Sequence, residues 1–498
     1  MNPVRPDART LIDTVLDPGT WRSWDETPAD PAPPGSDYAE ELAAARARTG
    51  YDESVISGEG LLDGRRVAVV ACEFSFLAGS IGAAAAERLT AAVERATAER
   101  LPLLAAPASG GTRMQEGALA FVQMVKITAA VTAHRAAGLP YVVYLRHPTT
   151  GGVFASWGSL GHVTAAEPGS LIGFLGPRVF ESLHGYPFPG GVQVSENLFA
   201  HGLVDAVVSA EDVRKVAVRV LAVLCAPRAG LRPGPEPDGR VQPVGAWDAI
   251  GRSRRDDRPG VRELLRYGAC DVTPLNGTGA GENDPGLLIA LARFGAAPAV
   301  VLGHDRSRRR TAAPLGPAGL RVARRGMGLA AELGLPLVTV IDTSGAALSK
   351  AAEEGGLAAE IARSLAELVT LDAPTVCLLL GEGAGGAALA LLPADRVLCA
   401  QHAWLSPLPP EGASALLYRS VDFAPEIAAA QGVKATDLRR DGIVDRIIPE
   451  LPDAVYEPEA FCRRVAGTLE HEIAALLGQD GAARRAARLA RYRALGVA

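Results

Sequence analysis

Two glycine-rich turns are the residues of this chain best suited to chemistry. Gly151 and Gly152 follow a buried apolar strand and precede a helix, and Gly386, Ala387 and Ala388 follow a second such strand. Glycine lets the backbone approach a ligand closely, and the first N–H groups of a helix have no partner within it. Two N–H donors aimed at one oxygen stabilise negative charge there, each worth about 3 kcal/mol of a reaction barrier. The turns therefore predict two oxyanion holes.

A second small-residue turn accompanies each hole. Gly110 and Gly111 end the preceding strand in the first half of the chain, and Gly345 and Ala346 do so in the second half. Small residues can also serve only to pack a strand against a helix, and for one turn alone that structural role is favoured. Two turns at matched positions, each beside another, favour a functional pair.

Conventional catalytic motifs are missing from the sequence. There is no GxSxG elbow, no GxxxxGK[ST] phosphate loop and no HExxH metal motif. Six of the eight histidines are candidates and are scattered along the chain: His147, His162, His184, His201, His304 and His402. No cluster has the spacing of a metal site. The predicted chemistry therefore relies on backbone donors rather than on an obligatory side-chain base.

The glycine turns belong to a unit that occurs twice. Two spacings recur, 38 positions between two prolines and 41 positions between two glycines, and a related eight-residue segment closes each unit. These landmarks are Pro102 to Pro140 and Pro336 to Pro374, Gly110 to Gly151 and Gly345 to Gly386, and the segments beginning at His201 and Asp441. Because the landmarks keep their order, the sequence predicts a duplicated domain.

Strand and helix patterns alternate within each unit, which predicts an α/β fold with mostly parallel sheets. The predicted first-unit elements are strands at 67–71, 101–106 and 141–145 and helices at 83–99 and 115–137; the second-unit elements are strands at 299–302, 337–341 and 376–380, a helix ending at 333 and a helix at 350–371. The predicted domains are 1–225, of which 1–60 form a peripheral arm, and 241–498. A linker rich in Pro and Gly covers 226–240.

Composition limits the class of protein. Among 498 residues 48% are hydrophobic and 21% charged, and the net charge is −6, so a disordered chain and a nucleic-acid-binding protein are both disfavoured. Six well-separated cysteines predict buried free thiols in a reducing cytoplasm. The apolar stretch 374–393 is interrupted by Glu382 and glycines, so it predicts a strand, turn and helix, and we expect no membrane span.

The motifs resemble the carboxyltransferase subunits of bacterial acetyl-CoA carboxylase. In the first half the matching stretches are FSFLAGSIG from Phe74, ASGGTRMQEG from Ala108, HPTTGGVFAS from His147 and AEPGSLIGFLGPRV from Ala166, as in the β subunit; in the second half they are GLPLVTVIDTSGA from Gly334, AEEGG from Ala352, GEGAGGAALA from Gly381 and PEGASALLY from Pro410, as in the α subunit. The chain thus resembles a β–α fusion of two tandem crotonase-like domains.

This resemblance implies a reaction. Carboxyl transfer would run from carboxybiotin, supplied by a separate biotin carrier protein, to the α-carbon of an acyl-CoA through an enolate. By analogy, Gly151 and Gly152 would hold the biotin ureido oxygen, and Gly386, Ala387 and Ala388 the enolate oxygen. The acyl-CoA would lie mainly on the first domain and biotin mainly on the second, with each site completed across two protomers of a homodimer or larger oligomer. A biotin carboxylase would be a further partner.

Substrate-binding positions follow from the same resemblance. They are Gly110, Gly111, Arg113, Phe174, Gly176, Gly345 and Ala346. Arg113 could contact the CoA phosphates or be a buried structural arginine, and both alternatives stay open. Two charged segments, 252–259 and 305–310, predict solvated loops, although the second could also dock an acidic carrier or the CoA phosphates.

Departures from the family leave the acyl group open. The β subunit's four-cysteine zinc ribbon is missing, so we expect no zinc. The α motif carries Ser344 in place of proline and Ala347-Leu348-Ser349 in place of Tyr-Pro-Gly. Two alternatives remain: a crotonase-type decarboxylase of a malonyl-type thioester, which would not need biotin, and a non-catalytic assembly protein of a carboxylase complex.

Overall fold

The chain separates into two compact units. A computed structural model describes residues 5–27, 29, 31–234, 241–308 and 314–496. One unit comprises Met1–Cys225 with Gly279–Gly281, and the other Ala226–Thr278 with Glu282–Ala498. Of the predicted linker, residues 226–234 are irregular, and residues 235–240 lie outside the described residues.

The first unit is an α/β layer structure. Its strands are β1 Arg22–Ser23, β2 Val55–Leu62, β3 Arg65–Cys72, β4 Leu103–Ala106, β5 Tyr141–Leu145, β6 Thr149–Thr150, β7 Val163–Ala166, β8 Ile172–Gly173 and β9 Ala206–Val207. Its helices are α1 Ala8–Val15, α2 Asp37–Thr49, α3 Ala83–Ala98, α4 Gly117–Ala136, α5 Gly151–Phe154, α6 Pro177–His184, α7 Ser195–Ala200 and α8 Val213–Leu224. Short 3-10 turns cover Leu77–Gly79, Met114–Glu116, Trp157–Ser159 and Ala210–Asp212.

The second unit repeats this architecture and adds two C-terminal helices. Its strands are β10 Cys270–Leu275, β11 Leu287–Phe294, β12 Ala297–His304, β13 Leu337–Thr343, β14 Thr375–Ala384, β15 Arg396–Ala400, β16 Trp404–Ser406 and β17 Arg446–Ile448. Its helices are α9 Ala246–Ser253, α10 Val261–Gly268, α11 Pro317–Leu333, α12 Lys350–Glu354, α13 Leu357–Thr370, α14 Gly385–Leu389, α15 Pro410–Tyr418, α16 Ala424–Ala430, α17 Ala435–Arg440, α18 Pro458–Leu477 and α19 Gly481–Ala494, with a 3-10 turn at Arg306–Arg308.

The two main sheets have the same topology. The strand orders are β1-β2-β3-β4-β5-β7-β9 and β10-β11-β12-β13-β14-β15-β17. In each sheet the first two pairings are antiparallel and the remaining ones parallel. Every residue of β12 and β14 is buried, as expected for strands covered on both faces. The stretch 374–393 forms β14, a glycine turn and α14, as its sequence predicts.

The first 60 residues are not peripheral, contrary to the prediction. Leu11 and Ile12 of α1 pack with Val69 of β3 and Leu221 of α8 in the core on one face of the sheet. Strand β2 pairs with β3 along its whole length. The prediction failed because the two-residue strand β1 and the eight-residue helix α1 are too short to show a clear period, and β2 carries glycines and a glutamate among its apolar residues.

The predicted helix 350–371 is interrupted. Helix α12 ends at Glu354, and α13 begins at Leu357 after Gly356, whose φ of +80° is a left-handed conformation that favours glycine. The AEEGG segment therefore reorients the chain, and α13 packs against α14 at the predicted site.

The described cysteines are free thiols, and four of them are buried. Burial raises the pKa of Cys72 to about 11 and that of Cys377 to about 12, so both stay protonated at neutral pH. Cys270 is exposed and Cys225 partly exposed. The expectation of burial is therefore wrong for these two.

Candidate active site

The first glycine turn places one open N–H group at the start of α5. Gly151 has a φ of +62°, and its N–H donates to the Phe174 carbonyl at 3.0 Å. Gly152 is the second residue of α5, and its N–H has no acceptor among the described residues. The two predicted donors therefore differ: the Gly151 N–H bonds to the segment that follows β8, and the Gly152 N–H remains available to a ligand.

A second donor stands beside Gly152. The turn after β4 lies along β6, with Ser109 bridged to Thr149. Gly111 has a φ of +111°, and a Cβ placed on it would stand 3.7 Å from the Gly152 nitrogen. Its N–H donates only to the Ser109 hydroxyl, at 3.0 Å, whereas the Gly110 N–H donates to the Ala78 carbonyl. Gly111 is therefore the amide beside Gly152, but its N–H is engaged by Ser109, which leaves Gly152 as the open donor of the two turns among the described residues.

The second unit builds the same turn pair. Gly385, with a φ of +68°, follows β14, and a Cβ placed on it would stand 4.0 Å from the Gly345 Cα. The Gly345 N–H donates to the Thr343 hydroxyl at 3.2 Å, as Gly111 does to Ser109. Gly386 is the second residue of α14 and, like Gly152, has an N–H without an acceptor among the described residues.

This equivalence shifts the alignment of the two units, as predicted from the sequence, by one residue. The structure matches Gly345 with Gly111 and Gly385 with Gly151, a separation of 40 positions in both units. The sequence spacing instead matches Gly345 with Gly110, and Gly386 with Gly151. Either alignment puts a glycine opposite a glycine or a small residue, and only the left-handed φ values decide between them. Ala387 and Ala388, both buried, follow Gly386 in the first turn of α14.

Side chains from the long helices form a wall behind each open amide. A Cβ on Gly152 would stand 3.2 Å from Met124 Cγ of α4, and one on Gly386 would stand 2.6 Å from Ile361 Cδ1 of α13. Neither position can gain a side chain without movement of its neighbour. Glycine is thus required at both amides by packing, while the wall residues differ between the units.

Comparison with known proteins gives the family of the chain. Residues 8–480 match the carboxyl transferase domain family. The chain belongs to that family. A relative in Mycobacterium tuberculosis H37Rv, named probable biotin-dependent acyl-coenzyme A carboxylase beta3 subunit, is 61% identical over 98% of both chains. The acetyl-coenzyme A carboxylase carboxyl transferase subunits beta/alpha of Salinispora arenicola is 37% identical over 99% of this chain and 91% of the relative.

Solved structures share the fold of this carboxyltransferase. Transcarboxylase 12S superposes with a TM-score of 0.73 at 20% identity, covering 94% of this chain and 89% of that one. A single-chain, multi-domain long-chain acyl-CoA carboxylase gives a TM-score of 0.72 at 19% identity, covering 93% of this chain and 45% of that one. The predicted fold class, an α/β protein with two tandem crotonase-like domains, is confirmed.

Arg113 is a buried structural arginine of the carboxyltransferase. Its side chain has no exposed surface. It forms a bidentate pair with Glu53, with Nη1 2.9 Å from Oε2, and donates to the Ser80 carbonyl at 2.8 Å and to the Tyr38 hydroxyl at 3.3 Å. Because its donors are used internally, the expected contact with a CoA phosphate is contradicted by the structure.

The other residues predicted to bind substrate contact their neighbours in the protein through the backbone. Phe174 holds Gly151 by its carbonyl, and its side chain is 69% exposed. Gly176 precedes α6 as its N-cap residue. Ala346 bridges Leu315, as Thr112 bridges Ile81 in the first unit. These residues lie beside the turns.

Buried ion pairs under the second turn were missed from the sequence. Arg306 pairs with Asp342 at 2.9 Å, and the other oxygen of Asp342 accepts the Glu382 N–H. Asp342 lies in β13 and Glu382 in β14, immediately before the two turns, so the pair positions both. Arg306 belongs to segment 305–310, predicted as a solvated loop; that prediction is wrong for Asp305 and Arg306, which are buried, whereas Arg309 and Arg310 lie outside the described residues.

Segment 252–259 is also less solvated than predicted. Arg254 forms a bidentate pair with Glu411 of α15 and contacts Glu382 of β14 at 3.1 Å, tying α15 to the strand that leads into Gly385. Arg258 has no exposed side-chain surface and binds both oxygens of Glu450 at 2.6 and 2.7 Å. The burial of these arginines could not be predicted from the local sequence, because the glutamates that pair with them lie 128 to 192 positions away.

One buried group of side chains has donor atoms close enough to hold a metal ion. His402, Glu450 and Asp453 place them within 4.8 Å of one another. Arg258 already occupies both Glu450 oxygens, and His402 Nδ1 donates to Oε2 at 2.9 Å. Both Glu450 oxygens are therefore engaged in an ion-pair network, although the buried His402 Nε2 and Arg258 Nε have no hydrogen-bond partner among the described residues.

Proposed function

We propose that the chain is the carboxyltransferase subunit of a biotin-dependent acyl-CoA carboxylase. The observation that carries the proposal is the pair of open amides, Gly152 and Gly386, at equivalent turns of two duplicated units. Two holes suit a transfer between two carbonyl-containing groups, each of which develops negative charge on an oxygen. The relative from Mycobacterium tuberculosis, named as such a subunit, supports the assignment.

Each hole has a proposed occupant. Gly386, with Ala387 and Ala388, holds the enolate oxygen of the acyl thioester, and Gly152 holds the ureido oxygen of biotin. When bound, carboxybiotin supplies the carboxyl group and, once it is released, a ureido nitrogen able to take the α-proton. The residues of the chain bind, orient and stabilise charge, because the donors are fixed in advance by β6 and β14.

The walls of the holes are proposed to limit the acyl group. Ile361 stands directly behind the Gly386 amide, and Leu389 at the end of α14 is 47% exposed. Both side chains are apolar, so the site accommodates an acyl chain rather than a charged group. The preferred length of that chain is measured by comparing a series of acyl-CoA esters.

An oligomer is proposed because apolar side chains are exposed on each unit. In the first unit they are Leu119, Phe121, Val122 and Val125 of α4; in the second they are Leu416, Leu417 and Tyr418 of α15, with Val421 and Phe423. By length and composition 114–136 could also cross a membrane, but it packs against α3 in the folded unit. We propose a homodimer or larger assembly, with sites completed between protomers; the solved transcarboxylase 12S is described as a hexamer.

The proposed partners are a biotin carboxylase and a biotin carrier protein, and the proposed location is the cytoplasm. None of the four methionines is part of a Met-Lys-Met attachment motif in this sequence. We therefore expect biotin to be delivered on another chain.

The experiment that tests the function is the reverse reaction. Purified protein is mixed with malonyl-CoA, methylmalonyl-CoA and longer alkylmalonyl-CoA esters, with and without free biotin, and the decarboxylated product is followed by chromatography. Biotin-dependent loss of CO2 is expected, and the rates rank the acyl groups. Biotin-independent loss would identify a decarboxylase instead. Absence of turnover together with absence of CoA-ester binding would favour a non-catalytic assembly protein.

The variant Arg113→Lys distinguishes a structural role of Arg113 from a role in binding substrate. Lysine keeps the charge but loses the bidentate geometry toward Glu53, so we expect the free energy of unfolding to fall by about 1–3 kcal/mol. The KM for the acyl-CoA should not change, because Arg113 does not reach it. Chemical denaturation and steady-state kinetics measure the two effects. A tenfold rise in KM with an unchanged free energy of unfolding would instead support a direct contact between Arg113 and a CoA phosphate.

A further inference from the structure

The C-terminal helix α19 is rich in arginine. It carries Arg484, Arg485, Arg488, Arg491 and Arg493 within fourteen residues. Two of them, Arg484 and Arg488, are buried, with 7% and 1% of their surface exposed. A buried guanidinium is costly unless it is paired and hydrogen-bonded, so the partners of these two residues decide what the helix does.

Arg488 is fully satisfied, whereas Arg484 is not. Arg488 binds both oxygens of Asp395 at 2.8 and 2.7 Å and donates to three backbone carbonyls. Arg484 must share the same carboxylate, with its Nε 3.3 Å from Asp395 Oδ2, and its Nη2 donates to the Asp372 carbonyl. Although Nε lies close to Asp395, its buried N–H makes no hydrogen bond among the described residues.

The charges around Arg484 show the same imbalance. Burial lowers the pKa of Arg484 despite the charge of Asp395, and the neighbouring Arg488 lowers it further. Arg484 thus shares its nearest counter-charge, Asp395, with Arg488, and Asp480 is the other carboxylate that acts on it.

Arg484 lines an open cavity of about 220 Å3. Four arginines and two aspartates surround it: Arg396, Arg484, Arg488, Arg491, Asp395 and Asp445. Asp445 is occupied by Arg491. The lining side chains therefore carry a formal charge of +2, of which Glu472, 3.5 Å from Arg396 Nε, offsets one positive charge. The space is many times the roughly 10–15 Å3 that one water molecule needs by this measure.

We propose that this cavity binds a small oxyanion of the phosphate class. Such an ion would supply an acceptor for the Arg484 guanidinium, whose Nε–H has none among the described residues, and would balance positive charge there. Planar guanidinium groups suit the oxygens of phosphate. The cavity is distinct from the glycine turn of the same unit. Asp395 accepts the N–H of Thr375 at the first residue of β14, whereas Gly385 follows the last, so a ten-residue strand separates them. The bound ion is therefore an effector or stabilising ligand and takes no part in the transfer.

The test uses the full chain and inorganic phosphate. The protein is purified in phosphate-free buffer and titrated calorimetrically with phosphate, and with chloride at equal ionic strength as the reference. Saturable binding of phosphate alone is expected. Arg484→Gln should weaken it by roughly tenfold or more, the loss of one charge-assisted hydrogen bond. Arg493→Gln, an exposed arginine of the same helix, is the matched control and should bind like the wild type.

Three results would overturn the proposal. The first is wild-type protein that shows no binding beyond that seen with chloride, a measurement that needs no variant. The second is Arg484→Gln that binds phosphate as tightly as the wild type. The third is equal weakening by Arg484→Gln and Arg493→Gln, which would indicate diffuse attraction to a basic helix. Circular dichroism and the Arg484→Lys variant, which keeps the charge, guard against a folding defect in Arg484→Gln.

Discussion

Gly386→Val should slow carboxyl transfer by about a hundredfold or more, the cost of losing one oxyanion donor. A Cβ at this position would stand 2.6 Å from Ile361 Cδ1, closer than real contacts allow. The clash displaces the start of α14 and with it the Gly386 N–H. The rate of biotin-dependent decarboxylation measures the loss, and circular dichroism checks that the fold is kept.

Two further variants distinguish displacement of the Gly386 N–H from a nonspecific effect of the substitution on the fold. Gly328→Val makes the same change within α11, where an added Cβ meets nothing within 4 Å, so its activity should stay near that of the wild type. Adding Ile361→Ala to Gly386→Val removes the clash while the N–H is retained, so part of the activity should return. A Gly386→Val enzyme with nearly normal rate would refute the role of this amide.

Glu450→Gln should lower the free energy of unfolding by about 3–5 kcal/mol, because it leaves the buried Arg258 without its counter-charge. Neither side chain has exposed surface, and Glu450 also accepts the His402 N–H and the Ala454 N–H. Urea denaturation followed by tryptophan fluorescence measures the change. Lys350→Gln, which breaks the exposed pair with Glu354, is the control and should cost no more than about 1 kcal/mol.

The same pair gives a pH dependence with a defined sign. Burial alone would raise the pKa of Glu450, but Arg258 and His402 outweigh burial and hold it well below the ordinary value of 4.5. A carboxyl whose pKa is lower in the folded than in the unfolded protein stabilises the fold, and this stabilisation is fully present above the unfolded-state pKa. It is lost progressively as the pH falls below that value toward the folded-state pKa. The stability difference between wild type and Glu450→Gln should therefore be constant near neutral pH and shrink below about 4.5. A difference that grows on acidification would contradict this assignment.

Long apolar elements and paired spacings were predictable from sequence. Strand β5 was predicted with its observed bounds, and α3 differs by one residue at its end. The duplication followed from landmarks that recur in order, and the sheet topology confirms it. Gly152 and Gly386 were predictable because each is a glycine in a turn between a buried strand and a helix, where helix amides are left without partners. Both amides are open in the structure.

Long-range charge pairing was not predictable. Arg113 and Glu53 are 60 positions apart, and Arg258 and Glu450 are 192 apart, so no local pattern joins them. Arginine within a polar run predicts a solvated loop because charged residues are rarely buried without a partner, and the partner is visible only after folding. The one-residue error in aligning the units has another cause, since left-handed backbone at Gly111 and Gly345 leaves no trace in composition.

The use of main-chain donors also bears on how such an enzyme changes over time. An amide N–H is present whichever residue occupies a position, other than proline, so point mutation cannot delete it as it could a catalytic histidine. Selection on the reaction then acts on the backbone path, through the glycines and the wall residues, and leaves the surrounding pocket free to vary. We therefore expect new acyl specificities to arise around Ile361, beside the hole proposed for the acyl group, by small steps that keep the Gly386 amide in place.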